Sequence, residues 1–181
     1  MSVNEVSGSV QCTRYMEDDS GMVPAPLHFQ TALGLCALGW TGDGVSFLRF
    51  LGPVSLPEKE ARNAPIWVFE AVRAITKHLA GEPQDLTTIP LDLSGLTPFQ
   101  RKVAGVLRST RPGQTLGYGE VALLAGSPGA ARAVGRAVKA NPILLLIPCH
   151  RVVAVDGPGG WSAFGDPAIK ARLLALENPH T

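Results

Sequence analysis

The stretch that most restricts this chain is Ile143-Leu144-Leu145-Leu146-Ile147, followed at once by Pro148-Cys149-His150-Arg151-Val152. The apolar run reads as a short strand, and the cysteine comes directly after it. That layout predicts a thiol presented at the end of a rigid element instead of one hidden in a core. A cysteine side chain ionises near pH ~8.5 and reacts as the thiolate, so a useful nucleophile needs a base or a positive charge beside it. His150 and Arg151 supply both types of group. A structural cysteine next to an unrelated histidine would look the same, so the surrounding pattern has to decide.

Around this stretch the chain reads as a mixed α/β protein of the α+β kind. Two β-like runs, 28–40 and 45–51, are separated by Thr41-Gly42-Asp43-Gly44, a sequence suited to a tight hairpin turn. Ile66, Phe69, Val72, Ile75 and Leu79 recur at three- and four-residue steps and predict a helix with that face buried, ended by Gly81. A proline-containing, charged link over 81–94, with a short extended piece at 88–93, marks a domain boundary. Residues 1–92 are then a supporting domain of antiparallel sheet plus helix, with a flexible lead-in over 1–22. Residues 93–181 are a mostly helical domain containing a short strand that carries the cysteine.

In that second part Thr97-Pro98-Phe99-Gln100 reads as a capping box opening a helix to about 109, with Phe99, Val103, Val106 and Leu107 inward. Helices over 120–125 and 130–140 flank the turn Gly126-Ser127-Pro128-Gly129, the layout of a helix-turn-helix. The second of these is built from Ala131, Ala133, Gly135 and Ala137, interrupted by Arg132, Arg136 and Lys139. Small residues let its backbone lie close to a groove floor while the cations meet phosphates. Strand continues over 152–155, 156–160 must be a loop, and Asp166-Pro167 caps a last helix to about Glu177.

Charge fits this division. The whole chain of 181 residues carries a formal +1, which alone argues against a nucleic-acid partner. Residues 1–96, however, hold six basic and eleven acidic residues, net −5, and 97–181 hold ten and four, net +6. The second part can approach a polyanion while the first faces away. Three cysteines without a Cys-x-x-Cys pair suit a reducing compartment. The absence of a signal-like N-terminus and of an eighteen-residue apolar run predicts a cytoplasmic protein without membrane contact, and a monomer is expected in solution.

Tyr118-Gly119-Glu120, Ala131-Arg132-Ala133-Val134-Gly135, Asn141-Pro142, Pro148-Cys149-His150-Arg151-Val152 and Leu173-Leu174-Ala175-Leu176-Glu177 occur in that order. Together they resemble the O6-alkylguanine-DNA alkyltransferases, also called methylated-DNA–protein-cysteine methyltransferases, densely from about 97 to 178 and more loosely before. The resemblance implies repair of double-stranded DNA by transfer of the alkyl group from O6-alkylguanine to Cys149, one protein molecule consumed per lesion, with no cofactor. It implies a chain from Cys149 through a water to His150 and then Glu177, and a structural role for Asn141 between the helix-turn-helix and the cysteine segment. Arg132 matches the residue inserted where the flipped base was stacked, and Tyr118 the phenol that donates to that base. Ala131, Arg136 and Lys139 lie on the same DNA-facing helix. Val152, Trp161 and Ser162 would wall the base pocket.

Trp161-Ser162-Ala163-Phe164-Gly165 departs from the commoner Tyr-Ser-Gly-Gly form, and Ala104 stands where many relatives have tryptophan. Some relatives hold a structural zinc, but the spacing of Cys12, Cys36, His28 and His78 does not match such a site, and no metal is expected. A non-catalytic protein that flags alkylated DNA for other repair proteins is the alternative, and Cys149 argues against it. A cysteine hydrolase would require a distant histidine in line with the sulfur, and His28, His78 and His180 sit in no motif.

Overall fold

The fold is taken from a computed structural model that describes residues 25–52, 64–154 and 167–178. The lead-in over 1–22, Cys12, Val155, the loop over 156–160, Trp161, Ser162 and the capping Asp166 lie outside the described residues.

The first β-like run is two strands, not one. Thr31 folds the chain back: its hydroxyl donates to the Gly34 carbonyl at 2.7 Å and accepts from the Leu33 N–H at 3.2 Å. Gly34 completes the turn with φ of +108°, a conformation that L side chains rarely adopt. The run's apolar composition hides this break, because Ala32 and Leu33 carry no turn signal of their own. A three-stranded antiparallel meander results, β1 (Leu27–Thr31), β2 (Gly34–Trp40) and β3 (Val45–Gly52), with β2 central. The second turn falls at 41–44 as expected, closed by Thr41 N–H donating to the Gly44 carbonyl at 2.9 Å.

Helix α1 (Ile66–Leu79) lies against this sheet. Its buried stripe is Val68, Ala71, Ile75 and Leu79, whereas Ile66 is 78% and Phe69 48% exposed. The 3-4-4 spacing of the buried set is as good as that of the expected one. Both stripes share Ile75 and Leu79, and the small, buried Ala71 lies on the face that turns towards the sheet. In the link that follows, residues 86–88 form a 3₁₀ turn, and Val45 N–H donates to the Pro90 carbonyl at 2.9 Å.

Helix α2 (Pro98–Arg108) starts with the expected capping box. Gln100 N–H donates to the Thr97 hydroxyl at 3.3 Å, and Thr97 N–H to the Gln100 side-chain oxygen at 2.8 Å. It buries Val103, Ala104 and Leu107 against α3 (Tyr118–Leu124) and α4 (Ala131–Lys139). The short strand β4 (Leu116–Gly117) precedes α3 and pairs in parallel with β5 (Val152–Val153), and α5 (Pro167–Glu177) closes the described chain.

Residues 143–147 are not a strand. Ile143 bridges Leu48 of β3, Leu145 turns the chain with φ of +66°, and Ile147 returns to bridge Leu144. A left-handed leucine costs roughly 1–2 kcal/mol. The local bonds offset it: Leu146 N–H to the Leu144 carbonyl at 2.7 Å and Ile147 N–H to the Ile143 carbonyl at 2.9 Å. All five side chains are buried, and one apolar cluster runs from the sheet through this loop to α2 and α4.

Candidate active site and DNA-facing helix

Asn141 follows the C-cap of α4 and holds the apolar loop by both ends. Its Nδ2 donates to the Ile147 carbonyl at 2.9 Å, and its Oδ1 accepts from the Ile143 N–H at 3.0 Å. The loop hands the chain to a single 3₁₀ turn, Cys149–Arg151, that leads into β5. Cys149 therefore starts a helical turn rather than ending a strand, and its exposure is 0%, so it is buried and not presented.

The turn separates its three side chains by about a third of a circle each. His150 consequently points to α5, where its Nε2 lies 2.8 Å from Glu177 Oε1. Arg151 grips the same carboxylate, Nε at 3.1 Å from Oε1 and 3.0 Å from Oε2, and Nη2 at 2.8 Å from Oε1. Its Nη1 is held by the carbonyl and the hydroxyl of Thr110, at 2.6 and 2.9 Å. The Gly113 N–H adds a bond to Glu177 Oε2 at 3.1 Å.

Burial alone would raise the Glu177 carboxyl, but hydrogen bonds from His150 and Arg151 and their charges outweigh it and hold it at about 2. Burial also lowers His150, against the pull of Glu177. A neutral imidazole facing an ionised carboxylate must carry its proton on Nε2, because the carboxylate only accepts. The lone pair is left on Nδ1, which is buried and has no hydrogen-bond partner among the described residues. The arrangement is a base of fixed tautomer on the residue next to a buried thiol.

Tyr118, first residue of α3, is half-buried. Its ring packs beside Gly135 of α4, where an added Cβ would sit in ordinary van der Waals contact at 3.8 Å. Burial and then the charge of Cys149 raise the Tyr118 hydroxyl, which keeps it a proton donor. On α4, Val134, Ala137 and Val138 are buried while Arg132, Arg136 and Lys139 are exposed, and Ala131 is half-buried at its start. Val152 is buried, and its carbonyl accepts from the ammonium of Lys170, itself only 2% exposed, at 2.7 Å. Among the described residues no three His, Cys, Asp or Glu side chains come together as a metal-binding group.

Known proteins resemble this chain in sequence and fold. The family described as 6-O-methylguanine DNA methyltransferase, DNA binding domain, matches residues 98–179. The methylated-DNA–protein-cysteine methyltransferase of Mycolicibacterium paratuberculosis is 44% identical over 151 residues, 82% of this chain and 89% of that one. The chain belongs to the methylated-DNA–protein-cysteine methyltransferase family. The Methanothermobacter thermautotrophicus protein of that name is 37% identical over 139 residues, 76% of each chain. The crystal structure of Mycobacterium tuberculosis O6-methylguanine methyltransferase superposes with a TM-score of 0.71 at 34% identity, covering 88% of this chain and 95% of that one. The M. tuberculosis OGT in complex with DNA gives 0.69 at 33% identity, covering 86% and 93%.

Of the residues singled out in the sequence, the structure brings His150 and Glu177 into direct contact beside Cys149, and places Tyr118 near enough to Cys149 that, after burial, a charge there raises the Tyr118 hydroxyl. Asn141 bonds the loop that leads to the cysteine and does not touch the cysteine side chain in these contacts. Trp161 and Ser162 lie outside the described residues. Sequence reasoning missed Lys170, Thr110, Gly113 and the hold of Arg151 on Glu177. Lys170 was within reach: it precedes Glu177 by seven residues, two helical turns, and so shares its face. Thr110 and Gly113 carry no such signal, being 41 and 64 residues from their partners.

Proposed function

We propose that this protein repairs double-stranded DNA by taking the alkyl group of O6-alkylguanine onto Cys149, irreversibly and once per molecule. The observation that carries the proposal is the buried 2.8 Å contact of His150 Nε2 with Glu177, which leaves Nδ1 as the base beside the cysteine. The thiol proton passes through a water to Nδ1. The thiolate attacks the alkyl carbon, the S–C bond forms as the C–O bond breaks, and the electron pair returns to the guanine ring. Tyr118 donates the proton that neutralises the leaving guanine, and the imidazolium proton returns to the phenolate through solvent. Summed over these steps, a thiol and an O6-alkylguanine become a thioether and a guanine. Nothing in the site hydrolyses a thioether, so turnover stops there.

The base must first leave the stack, at a cost of a few kcal/mol. Arg132, exposed at the start of α4, fills the gap it leaves, Arg136 and Lys139 hold phosphates, and Ala131 permits close approach of the helix. Val152, Trp161 and Ser162 wall the pocket. In this reading residues 93–181 carry DNA binding and transfer, residues 1–92 support them, and the protein works as a cytoplasmic monomer without a cofactor. No helix among the described residues is long and apolar enough to cross a membrane.

Intact mass spectrometry after mixing with a duplex containing one O6-methylguanine tests the reading. The expected result is a gain of one methyl group per chain, absent in Cys149→Ser. Tight binding of the lesion without any mass gain would sink the transfer.

A further inference from the structure

The carboxylate of Glu177 takes bonds from three residues. His150 and Arg151 belong to the cysteine turn; the third donor is the backbone of the loop between α2 and β4. That loop is itself well tied. Arg111 N–H donates to the Gln114 side chain at 3.1 Å, Gln114 N–H returns to the Arg111 carbonyl at 3.0 Å, and the Thr110 hydroxyl donates to the Leu107 carbonyl at 2.6 Å. From this frame Thr110 receives Arg151 and Gly113 donates to Glu177, so one loop fixes both members of the ion pair behind His150.

Gly113 sits in a conformation that L side chains rarely adopt. Its φ is +79°, and a Cβ there would run into the Asn178 side chain and lie 3.3 Å from the Glu177 carbonyl. The close approach brings its N–H against Oε2, opposite the oxygen that receives His150. A carboxylate held through Oε1 alone can swing about that contact; a donor on Oε2 fixes its plane. Arg151 also reaches both oxygens, Nε at 3.1 Å from Oε1 and 3.0 Å from Oε2, so the Gly113 N–H is a second donor on Oε2, and it comes from a different element.

We propose that Gly113 is a positioning residue for the alkyl transfer: its backbone N–H orients Glu177 so that Oε1 accepts from His150 and holds the imidazole with Nδ1 towards the thiol side. The inference rests on the function proposed above. Besides Glu177, the charged and titratable groups facing His150 are Arg151 on its own turn and Lys170 of α5, while His78 of α1 faces the same cluster. None of these would change in a variant that loses only the Gly113 N–H.

Gly113→Ala also strains the backbone, so the deciding variant replaces the Gly113 amide by an ester, introduced in the full chain as glycolic acid by nonsense suppression. Without that donor the carboxylate turns away from His150, and the imidazolium loses the hydrogen bond and charge that favour it. The base then stays neutral to lower pH. In single-turnover transfer from an O6-methylguanine duplex, the acid limb of the pH profile should move down by about half a unit and the plateau fall about fivefold, whereas a limb that moves up would show a field effect without reorientation and overturn the proposal. An acid limb that stays in place, whatever happens to the melting temperature or the plateau, overturns the proposal. If the unaltered protein gains no methyl group, the proposed function itself has failed; a methylated parent with an unmoved ester profile defeats this inference alone.

Discussion

Glu177 stands between three kinds of donor, a neutral imidazole, a guanidinium and a backbone amide. Its side chain is 2% exposed, and that of Arg151 10%. Neither charge is stabilised by water, so each depends on the other. Glu177→Gln keeps an oxygen for the His150 N–H but removes the charge that offsets Arg151. Breaking a buried pair from one side costs on the order of 3–5 kcal/mol. Urea unfolding of the variant should show a loss of that size, and single-turnover transfer should fall roughly 10²-fold, because the base loses its orienting anion. A variant with full stability and full rate would mean that the carboxylate charge neither holds Arg151 nor orients His150. Nothing in the local sequence around Glu177 reveals this position. A glutamate near a helix end is ordinarily a surface residue, and only the resemblance carried by Leu173-Leu174-Ala175-Leu176 singles it out.

At the scale of elements, the helices were the legible part, for physical reasons. The capping box of α2 is a contact between Thr97 and Gln100, three residues apart, so it is written locally, and so are the small residues and cations of α4. The face of α1 was misjudged by a rotation because two stripes with equal spacing compete and the sheet selects between them. The cysteine segment was misread because a short apolar run has no period that separates a strand from a buried turn. Its shape depends on Asn141 and on β3, which lies about a hundred residues earlier. Helix α4 makes a prediction independent of the chemistry. Arg136 is exposed and Val134, Ala137 and Val138 anchor the helix, so Arg136→Ala should leave the melting temperature unchanged. If Arg136 meets one phosphate, the slope of log K against log salt for DNA binding by Cys149→Ser protein should become shallower by about one. An unchanged slope would remove Arg136 from the DNA-facing surface.

For the whole molecule, the titrating groups around the relay make folding stability depend on pH in two steps of the same sign. His150 and His78 are both lowered from the ordinary histidine value of 6.5, chiefly by burial. Below that value the unfolded chain binds protons that the folded protein refuses, so stability falls as the solution is acidified, by up to about 1.4 kcal/mol per pH unit for each histidine. Glu177 is depressed from 4.5 to about 2, so what it contributes is fully present above 4.5 and is lost as the pH falls towards 2. Denaturant unfolding of the unalkylated protein should therefore give a nearly level stability from pH 7 to 8, a first decline beginning near 6.5, and a steeper one below 4.5. His150→Gln, which keeps a side-chain N–H able to reach Glu177, should flatten the first decline to the share that His78 contributes and leave the second. If instead the first decline is unchanged in His150→Gln, the imidazole is not held neutral by burial, and Nδ1 would not be the resting base on which the transfer depends.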